Sequence, residues 1–134
     1  MDDYDKYESF SPGSLRTVLV IEDDKDLSTY LKFLLERAGY HVITSSKGGE
    51  GEVLSMRILP DLIILDINLP TVNGYEILHE LKNNQATRDI PVIMHSAESS
   101  MESYIRCADE GAAAFVGKPL DENELLAKVA QALA

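Results

Sequence analysis

The segment from Pro60 to Pro70, PDLIILDINLP, constrains the fold more than any other part of the chain. Its run of four aliphatic residues, entered from a proline, predicts a strand that is buried on both faces, as the strands of parallel sheets are. The strand ends at Asp66. Because open α/β sheets bind ligands beyond the carboxyl ends of their strands, we expect this acid to face a functional site.

The size and composition predict one globular domain. The chain has 134 residues, of which 45% are hydrophobic and 26% are charged, as in ordinary soluble domains. Its formal net charge of -11 argues against direct contact with nucleic acid, which requires clustered Lys and Arg. No apolar run is long enough for a membrane span, and a signal peptide is not evident. The single cysteine, Cys107, is interpreted as a helix packing residue, which favours a reducing, cytoplasmic location.

Strand and helix patterns alternate along most of the chain. Residues 1–14 are acidic and polar and are expected to form a disordered tail, with the domain over 15–134. Five strand patterns then alternate with five helix patterns, which predicts a parallel sheet with helices on both faces. Residues 47–56 are the weakest helix pattern, because each of three glycines costs about 1 kcal/mol relative to alanine. Residues 99–109 predict a polar helix with few apolar anchors.

In this arrangement the carboxyl ends of the strands meet at one edge of the sheet. The groups that they carry there are Glu22, Asp23, Asp66, Ser96 and Lys118. Three carboxylates in one site repel each other and stay ionised only beside a cation, and hard oxygen ligands suit Mg²⁺. A carboxylate next to Mg²⁺ can attack phosphorus, so Asp66 is the predicted nucleophile of an aspartyl phosphate. Lys118 is expected to pair with one phosphoryl oxygen, and the Ser96 hydroxyl to donate to another.

From about Arg16 to Ala134 the chain resembles the receiver domain of two-component response regulators. The motifs are an acidic pair after the first strand, the acid that ends the third strand, and the turn Asn73-Gly74-Tyr75-Glu76. A hydroxyl residue followed by alanine after the fourth strand and a Lys-Pro pair after the fifth complete the set. The resemblance implies a flavodoxin-like, doubly wound five-stranded parallel sheet with strand order 2-1-3-4-5 and five helices.

The resemblance also implies how the acids act. Asp66 would be the phosphoacceptor, and Asp23 and Asp66 would bind Mg²⁺ directly. Glu22 would bind the metal through water, and Asn68 through its backbone carbonyl.

A conformational switch is implied as well. On phosphorylation Ser96 would move toward the phosphate and Phe115 would turn inward, which would remodel the face made by the fourth helix, fifth strand and fifth helix. Asn68 and Glu98 match positions that tune dephosphorylation in the family; the alternative is that both are solvated loop residues. His95 stands where the family commonly has an aliphatic residue. We interpret it as a satisfied, partly buried histidine, with pH-sensitive coupling to the fourth helix as the alternative.

The function that the resemblance implies is signalling, with no turnover of an outside substrate. A histidine kinase or histidine phosphotransfer protein would donate the phosphoryl group to Asp66, and the domain would assist its own phosphotransfer and dephosphorylation. The switched face would bind a downstream protein. The chain resembles the single-domain type of regulator, and a receiver excised from a longer regulator is the alternative.

The residues beside these acids bear on two other function classes. A phosphatase that uses an aspartyl phosphate usually has a second carboxylate two residues after its nucleophile, where this chain has Asn68. A flavin- or nucleotide-binding module of the same fold needs a Gly/Ser/Thr-rich loop after the first strand, where this chain has Glu22-Asp23-Asp24. Both departures count against these classes.

Overall fold

Five parallel strands form one sheet in residues 15–134, the part of the chain that the computed structural model describes. The predicted tail over residues 1–14 lies outside the described residues. The strands are β1 (Thr17–Ile21), β2 (His41–Ser45), β3 (Leu62–Asp66), β4 (Val92–Ser96) and β5 (Ala114–Gly117). Their order is β2-β1-β3-β4-β5 and every neighbouring pair is parallel. The predicted fold class is confirmed.

Five helices connect and flank these strands. They are α1 (Lys25–Arg37), α2 (Gly48–Ile58), α3 (Gly74–Asn83), α4 (Met101–Asp109) and α5 (Glu122–Ala132). Polar side chains accept hydrogen bonds from the first-turn amides of four of them and so fix where those helices begin. These caps are Asp24 for α1, Asn73 for α3, Ser100 for α4 and Asp121 for α5.

The core lies in two layers, one on each face of the sheet. Every residue of β3 is buried, and because side chains alternate across a strand, Ile63 and Leu65 face one layer while Leu62 and Ile64 face the other. The first layer packs against α2, α3 and α4, and the second against α1 and α5. Burial on both faces is what the aliphatic run predicted. Cys107 on α4 is buried in the first layer, as expected of a packing residue.

The glycine-rich helix α2 forms where the sequence predicted a weak helix, and two of its glycines allow it to pack closely. A Cβ at Gly48 would lie 2.6 Å from Cδ1 of Ile77, and a Cβ at Gly51 would lie 2.7 Å from Cδ1 of Ile21. Helix propensity alone counted these residues as a cost. Their missing side chains let α2 approach the sheet and α3, and the packing of the helix offsets the propensity.

Helices α3 and α4 differ in how firmly they are anchored. Five residues of α3 are buried, namely Gly74, Tyr75, Ile77, Leu78 and Leu81. Only Cys107 is buried among the residues of α4, and Met101, Tyr104 and Ile105 are exposed. The sequence predicted few apolar anchors in this segment, and the structure confirms it.

Candidate functional site

Three carboxylates meet at the carboxyl edge of the sheet. Asp66 is the last residue of β3, and Glu22 and Asp23 directly follow β1. Each offers one carboxylate oxygen, and these oxygens all lie within 4.8 Å of one another. Glu22 and Asp66 are 2% exposed, whereas Asp23 is exposed. A set of three clustered carboxylate oxygens with one open side fits a hard cation such as Mg²⁺.

Lys118, directly after β5, supplies positive charge to this cluster. Its Nζ lies 3.3 Å from Oε1 of Glu22 and 3.5 Å from Oδ2 of Asp66. One ammonium group therefore forms ion pairs with two nearly buried carboxylates. Because the lysine is itself one quarter exposed, it can change partners with little movement of the backbone.

The charge in the cluster is not balanced by Lys118 alone. Burial raises the pKa of Glu22 to about 7, and repulsion from Asp66 adds to this, although the backbone N–H of Asp24 and Lys118 oppose it. Oε2 of Glu22 accepts the Asp24 N–H at 3.1 Å, but Oε1 has no hydrogen-bond partner among the described residues and only the ion pair with Lys118. A buried acid with an oxygen that accepts no hydrogen bond and with a raised pKa favours the binding of a further cation.

Ser96 is the last residue of β4, and its hydroxyl lies beside the loop that follows Asp66. Its Oγ accepts the side-chain amide N–H of Asn68 and the backbone N–H of Glu98, both at 3.1 Å. The backbone N–H of Asn68 in turn donates to Oδ1 of Asp66 at 3.1 Å. Both contacts to Ser96 use lone pairs of the oxygen, so the hydroxyl proton can be donated to a ligand.

The backbone around Asp66 is fixed by the start of α3. A Cβ at Gly74 would lie 2.5 Å from the carbonyl oxygen of Asp66 and 2.6 Å from Cα of Ile67. The Gly74 N–H donates to the Ile67 carbonyl at 2.8 Å, and Asn68 and Asn73 form an isolated antiparallel bridge. The turn motif contains this glycine, but its residue types do not reveal that two backbone segments touch there.

Phe115 on β5 lies under α4 and is 3% exposed. Its ring packs on the ring of Tyr104, with centroids 4.7 Å apart. Lys128 of α5 joins the group, since its Nζ donates to the Phe115 carbonyl at 2.6 Å, to Glu124 Oε1 at 2.8 Å and to the Tyr104 hydroxyl at 3.3 Å. The aromatic position that the resemblance marked is therefore already buried, and Tyr104 covers it. Neither Tyr104 nor Lys128 was singled out from the sequence.

The interpretation of His95 as satisfied and partly buried is wrong. The residue is 1% exposed, and neither ring nitrogen has a hydrogen-bond partner among the described residues. Its Nδ1 lies 3.9 Å from Oε1 of Glu22. Burial and the nearby charge of Lys118 lower the pKa of His95 to about 4, so the ring is neutral at pH 7. The alternation of side chains along β4 predicts which face of the sheet His95 lies on. It does not predict whether hydrogen-bond partners reach the ring.

The structure brings together most of the residues that the sequence nominated. The acids, Ser96, Asn68 and Lys118 share one edge of the sheet through direct contacts. Glu98 contacts this group only through its backbone, and its side chain is exposed. Phe115 lies away from these contacts, next to α4.

A doubly wound parallel sheet with order 2-1-3-4-5 and an acidic site at its carboxyl edge is the architecture of the flavodoxin-like signalling domains. Residues 18–130 match the model of the family described as response regulator receiver domain. The chain belongs to this family. It is a receiver domain of the two-component response regulators, which is a signalling domain and not a classical enzyme.

Known proteins support this assignment. The chain is 38% identical over 112 residues to the DNA-binding dual master transcriptional regulator RpaA of Synechocystis sp., covering 84% of this chain and 46% of that protein. It is 37% identical over 115 residues to the phosphate regulon transcriptional regulatory protein PhoB of Rhizobium meliloti, covering 86% of this chain and 51% of that protein. The chain thus spans about half the length of these curated relatives.

The fold has close counterparts among solved structures. The chemotaxis response regulator CheY4 of Vibrio cholerae superposes with a TM-score of 0.83 at 26% identity, covering 89% of this chain and 99% of that chain. Within residues 15–134, none of the helices has the length and apolar character that crossing a bilayer requires.

Proposed function

We propose that the domain accepts a phosphoryl group on Asp66 from the phosphohistidine of a sensor kinase or phosphotransfer protein, in a Mg²⁺-dependent reaction in the cytoplasm. The observation that carries this proposal is the position of Asp66. It ends β3 within the cluster of carboxylate oxygens, and its Oδ2 lies 3.5 Å from the Lys118 ammonium. A nucleophilic carboxylate needs these neighbours, since the transferred group brings negative charge with it.

The transfer forms one bond and breaks one. A carboxylate oxygen of Asp66 attacks phosphorus, and the P–N bond of the donor breaks with its electron pair left on that nitrogen; because the other ring nitrogen of the phosphohistidine already carries a proton, the leaving group is a neutral imidazole. With acetyl phosphate as donor, the P–O bond breaks and acetate leaves. Lys118 pairs with one phosphoryl oxygen, and Ser96 donates its hydroxyl proton to another. Because Asn68 now donates to Ser96 Oγ at 3.1 Å, a shift of Ser96 toward the phosphoryl group would break or stretch that bond.

The acidic cluster would hold the metal. Asp23 and Asp66 would bind Mg²⁺ directly, Glu22 through water and Asn68 through its backbone carbonyl, as the family resemblance implies. Bound Mg²⁺ neutralises negative charge on the transferred group. Asn68 and Glu98 are proposed to tune dephosphorylation, because both flank Ser96 and one of them also contacts Asp66.

The output would be a change in the face formed by α4, β5 and α5, which binds a downstream protein. A shift of Ser96 would reach α4 through residues 97–100, in which the Glu98 N–H donates to Ser96 Oγ. Phe115 would respond together with Tyr104, because their rings are packed on each other. Direct contact with nucleic acid is not part of this proposal.

Intact-mass spectrometry after incubation with acetyl phosphate tests the proposal. We expect one phosphoryl adduct on the wild type with Mg²⁺, none without Mg²⁺, and none on Asp66→Asn. Asp61→Asn is a matched control at the other end of the same segment, where the side chain accepts the Thr17 N–H, and it should be labelled like the wild type. Stoichiometric labelling of Asp66→Asn would contradict the proposal, and sustained phosphate release from a small phosphomonoester would favour a phosphatase.

A further inference from the structure

Two buried polar atoms at the site face each other without hydrogen bonds. Nδ1 of His95 and Oε1 of Glu22 lie 3.9 Å apart, and neither has a hydrogen-bond partner among residues 15–134. Both side chains are 2% exposed. Buried polar groups are nearly always hydrogen-bonded, so a facing pair of this kind calls for an explanation in the function of the site.

Sheet register accounts for the approach of these two residues. His95 on β4 pairs with Asp66 on β3, and Glu22 follows Ile21, which ends the pairing of β1 with Leu65 of β3. Equivalent positions on neighbouring parallel strands point to the same face. The His95 side chain is therefore on the same face of the sheet as those of Asp66 and Glu22.

In the present state Lys118 occupies the place that a donor to Glu22 would take. Its ammonium lies 3.3 Å from Oε1 of Glu22 and 3.5 Å from Oδ2 of Asp66. A phosphoryl group on Asp66 brings further negative charge, and the ammonium that pairs with it is drawn away from Glu22. A nearly buried carboxylate oxygen that loses its ammonium partner is stabilised by another hydrogen-bond donor within reach.

We infer that His95 is a positioning residue of the phosphorylated state. When Lys118 engages the phosphoryl group, the Nδ1–H of the His95 imidazole donates to Oε1 of Glu22 and holds that carboxylate in its orientation. The inference rests on the proposed function, since it needs an occupied Asp66. Closing the gap from 3.9 Å to a normal hydrogen bond requires an approach of about 1 Å.

Nuclear magnetic resonance of the histidine ring nitrogens tests the inference directly. The wild type is recorded at pH 7 without ligand and with Mg²⁺ and beryllium trifluoride, a phosphoryl mimic. On loading, we expect Nδ1 of His95 to carry the proton and that proton to become protected from exchange with water. His79, exposed on α3, is the internal control and should not change.

The outcomes separate the two claims. Fluorine resonances report whether beryllium trifluoride has bound to the wild type and not to Asp66→Asn. Absence of binding would overturn the proposed function and the inference with it. Binding accompanied by a His95 ring protonated at Nε2, or by an unchanged Nδ1 signal, would overturn the inference alone.

A pair of variants gives a second test with a different readout. His95→Leu removes the donor, whereas His95→Gln retains an N–H that can reach a neighbouring carboxylate. We expect the phosphoryl mimic to dissociate about tenfold faster from His95→Leu, since a hydrogen bond to a charged group is lost, and His95→Gln to restore most of the difference. Circular dichroism confirms that both variants are folded. Equal dissociation rates for the two variants would contradict the inference.

Discussion

The helices that follow the two central site strands, α3 after β3 and α4 after β4, differ in what holds them. Helix α3 buries five of its residues, and its first residue, Gly74, touches the backbone of Asp66. Helix α4 buries only Cys107, and Met101 is 75% exposed. Local stability follows buried apolar contact. Helix α3, next to the proposed acceptor Asp66, is therefore held firmly, and helix α4, which follows Ser96, can rearrange at low cost.

This difference in anchoring suits a domain in which the addition of a charged phosphoryl group causes a conformational change. In the function proposed above, Asp66 has to hold its geometry while the phosphoryl group is attached, and the face that includes α4 has to be able to move. The side-chain contacts between helices α3 and α4 include two pairs that involve Tyr75. The Arg106 guanidinium lies 3.8 Å from the centre of the Tyr75 ring, and Cys107 Sγ donates to the Tyr75 hydroxyl at 3.8 Å.

The largest effect is expected from filling the contact between α3 and the acceptor strand. Gly74→Ala would place a Cβ 2.5 Å from the Asp66 carbonyl oxygen, and because backbone atoms must shift, we expect a loss of about 3 kcal/mol in the free energy of unfolding. Urea denaturation measures it. Gly49→Ala is the control, since nothing lies within 4 Å of a Cβ there, and it should be neutral or stabilise by up to about 1 kcal/mol. Equal effects would remove the argument for a rigid acceptor side.

A smaller effect on stability is expected from removing the contacts that Lys128 makes next to α4. Lys128→Met removes the donor to the Phe115 carbonyl and to the Tyr104 hydroxyl, and we expect a loss of about 1 kcal/mol in global stability. Amide exchange should become faster in α4 and stay unchanged in α3. The exposed Lys32 on α1 provides the control variant Lys32→Met. Faster exchange in α3, or none in α4, would contradict the comparison.

The smallest effect is a pH dependence on the α3 side. Burial raises the pKa of Glu52 on α2 from 4.5 to about 7, and hydrogen bonding and repulsion with Glu80 of α3 add to it. Between these values the folded state holds a proton that the unfolded state releases, so this residue's contribution to stability is present at low pH and is lost as pH rises through about 7. Glu52→Gln should therefore gain in melting temperature relative to the wild type at pH 8 more than at pH 5. The reverse trend would contradict the assignment.

The sequence predicted the topology and the residues of the edge because both follow from local patterns. An aliphatic run such as residues 62–65, bounded by proline, is typical of a strand buried on both faces, and alternation with helices leaves the carboxyl ends of the strands on one side. Once that edge is predicted, Asp66, Ser96 and Lys118 must be neighbours. In the structure Lys118 Nζ lies 3.5 Å from Asp66 Oδ2, and Ser96 Oγ accepts the side-chain N–H of Asn68 beside them.

What the sequence did not predict depends on distances between segments that are far apart in the chain. The contact of Gly74 with Asp66 and the packing of Tyr104 on Phe115 have no signature in residue type or spacing. His95 shows the same limit, because alternation assigns a strand residue to a face but does not reveal whether a partner reaches it. The glycines of α2 show a related limit. Helix propensity counts them as a cost, because it describes an isolated helix and not the packing of that helix in the fold.

Hydrogen exchange on the phosphorylated domain is the most direct test of the central claim, that Asp66 receives the phosphoryl group on a rigid side and α4 responds. The wild type and Asp66→Asn are compared with acetyl phosphate and Mg²⁺, with the phosphorylated fraction read from intact mass. We expect altered exchange in α4 and in residues 97–100 of the wild type, unchanged exchange in α3, and no change in the variant. Altered exchange in α3, or none in α4 at full phosphorylation, would contradict the account.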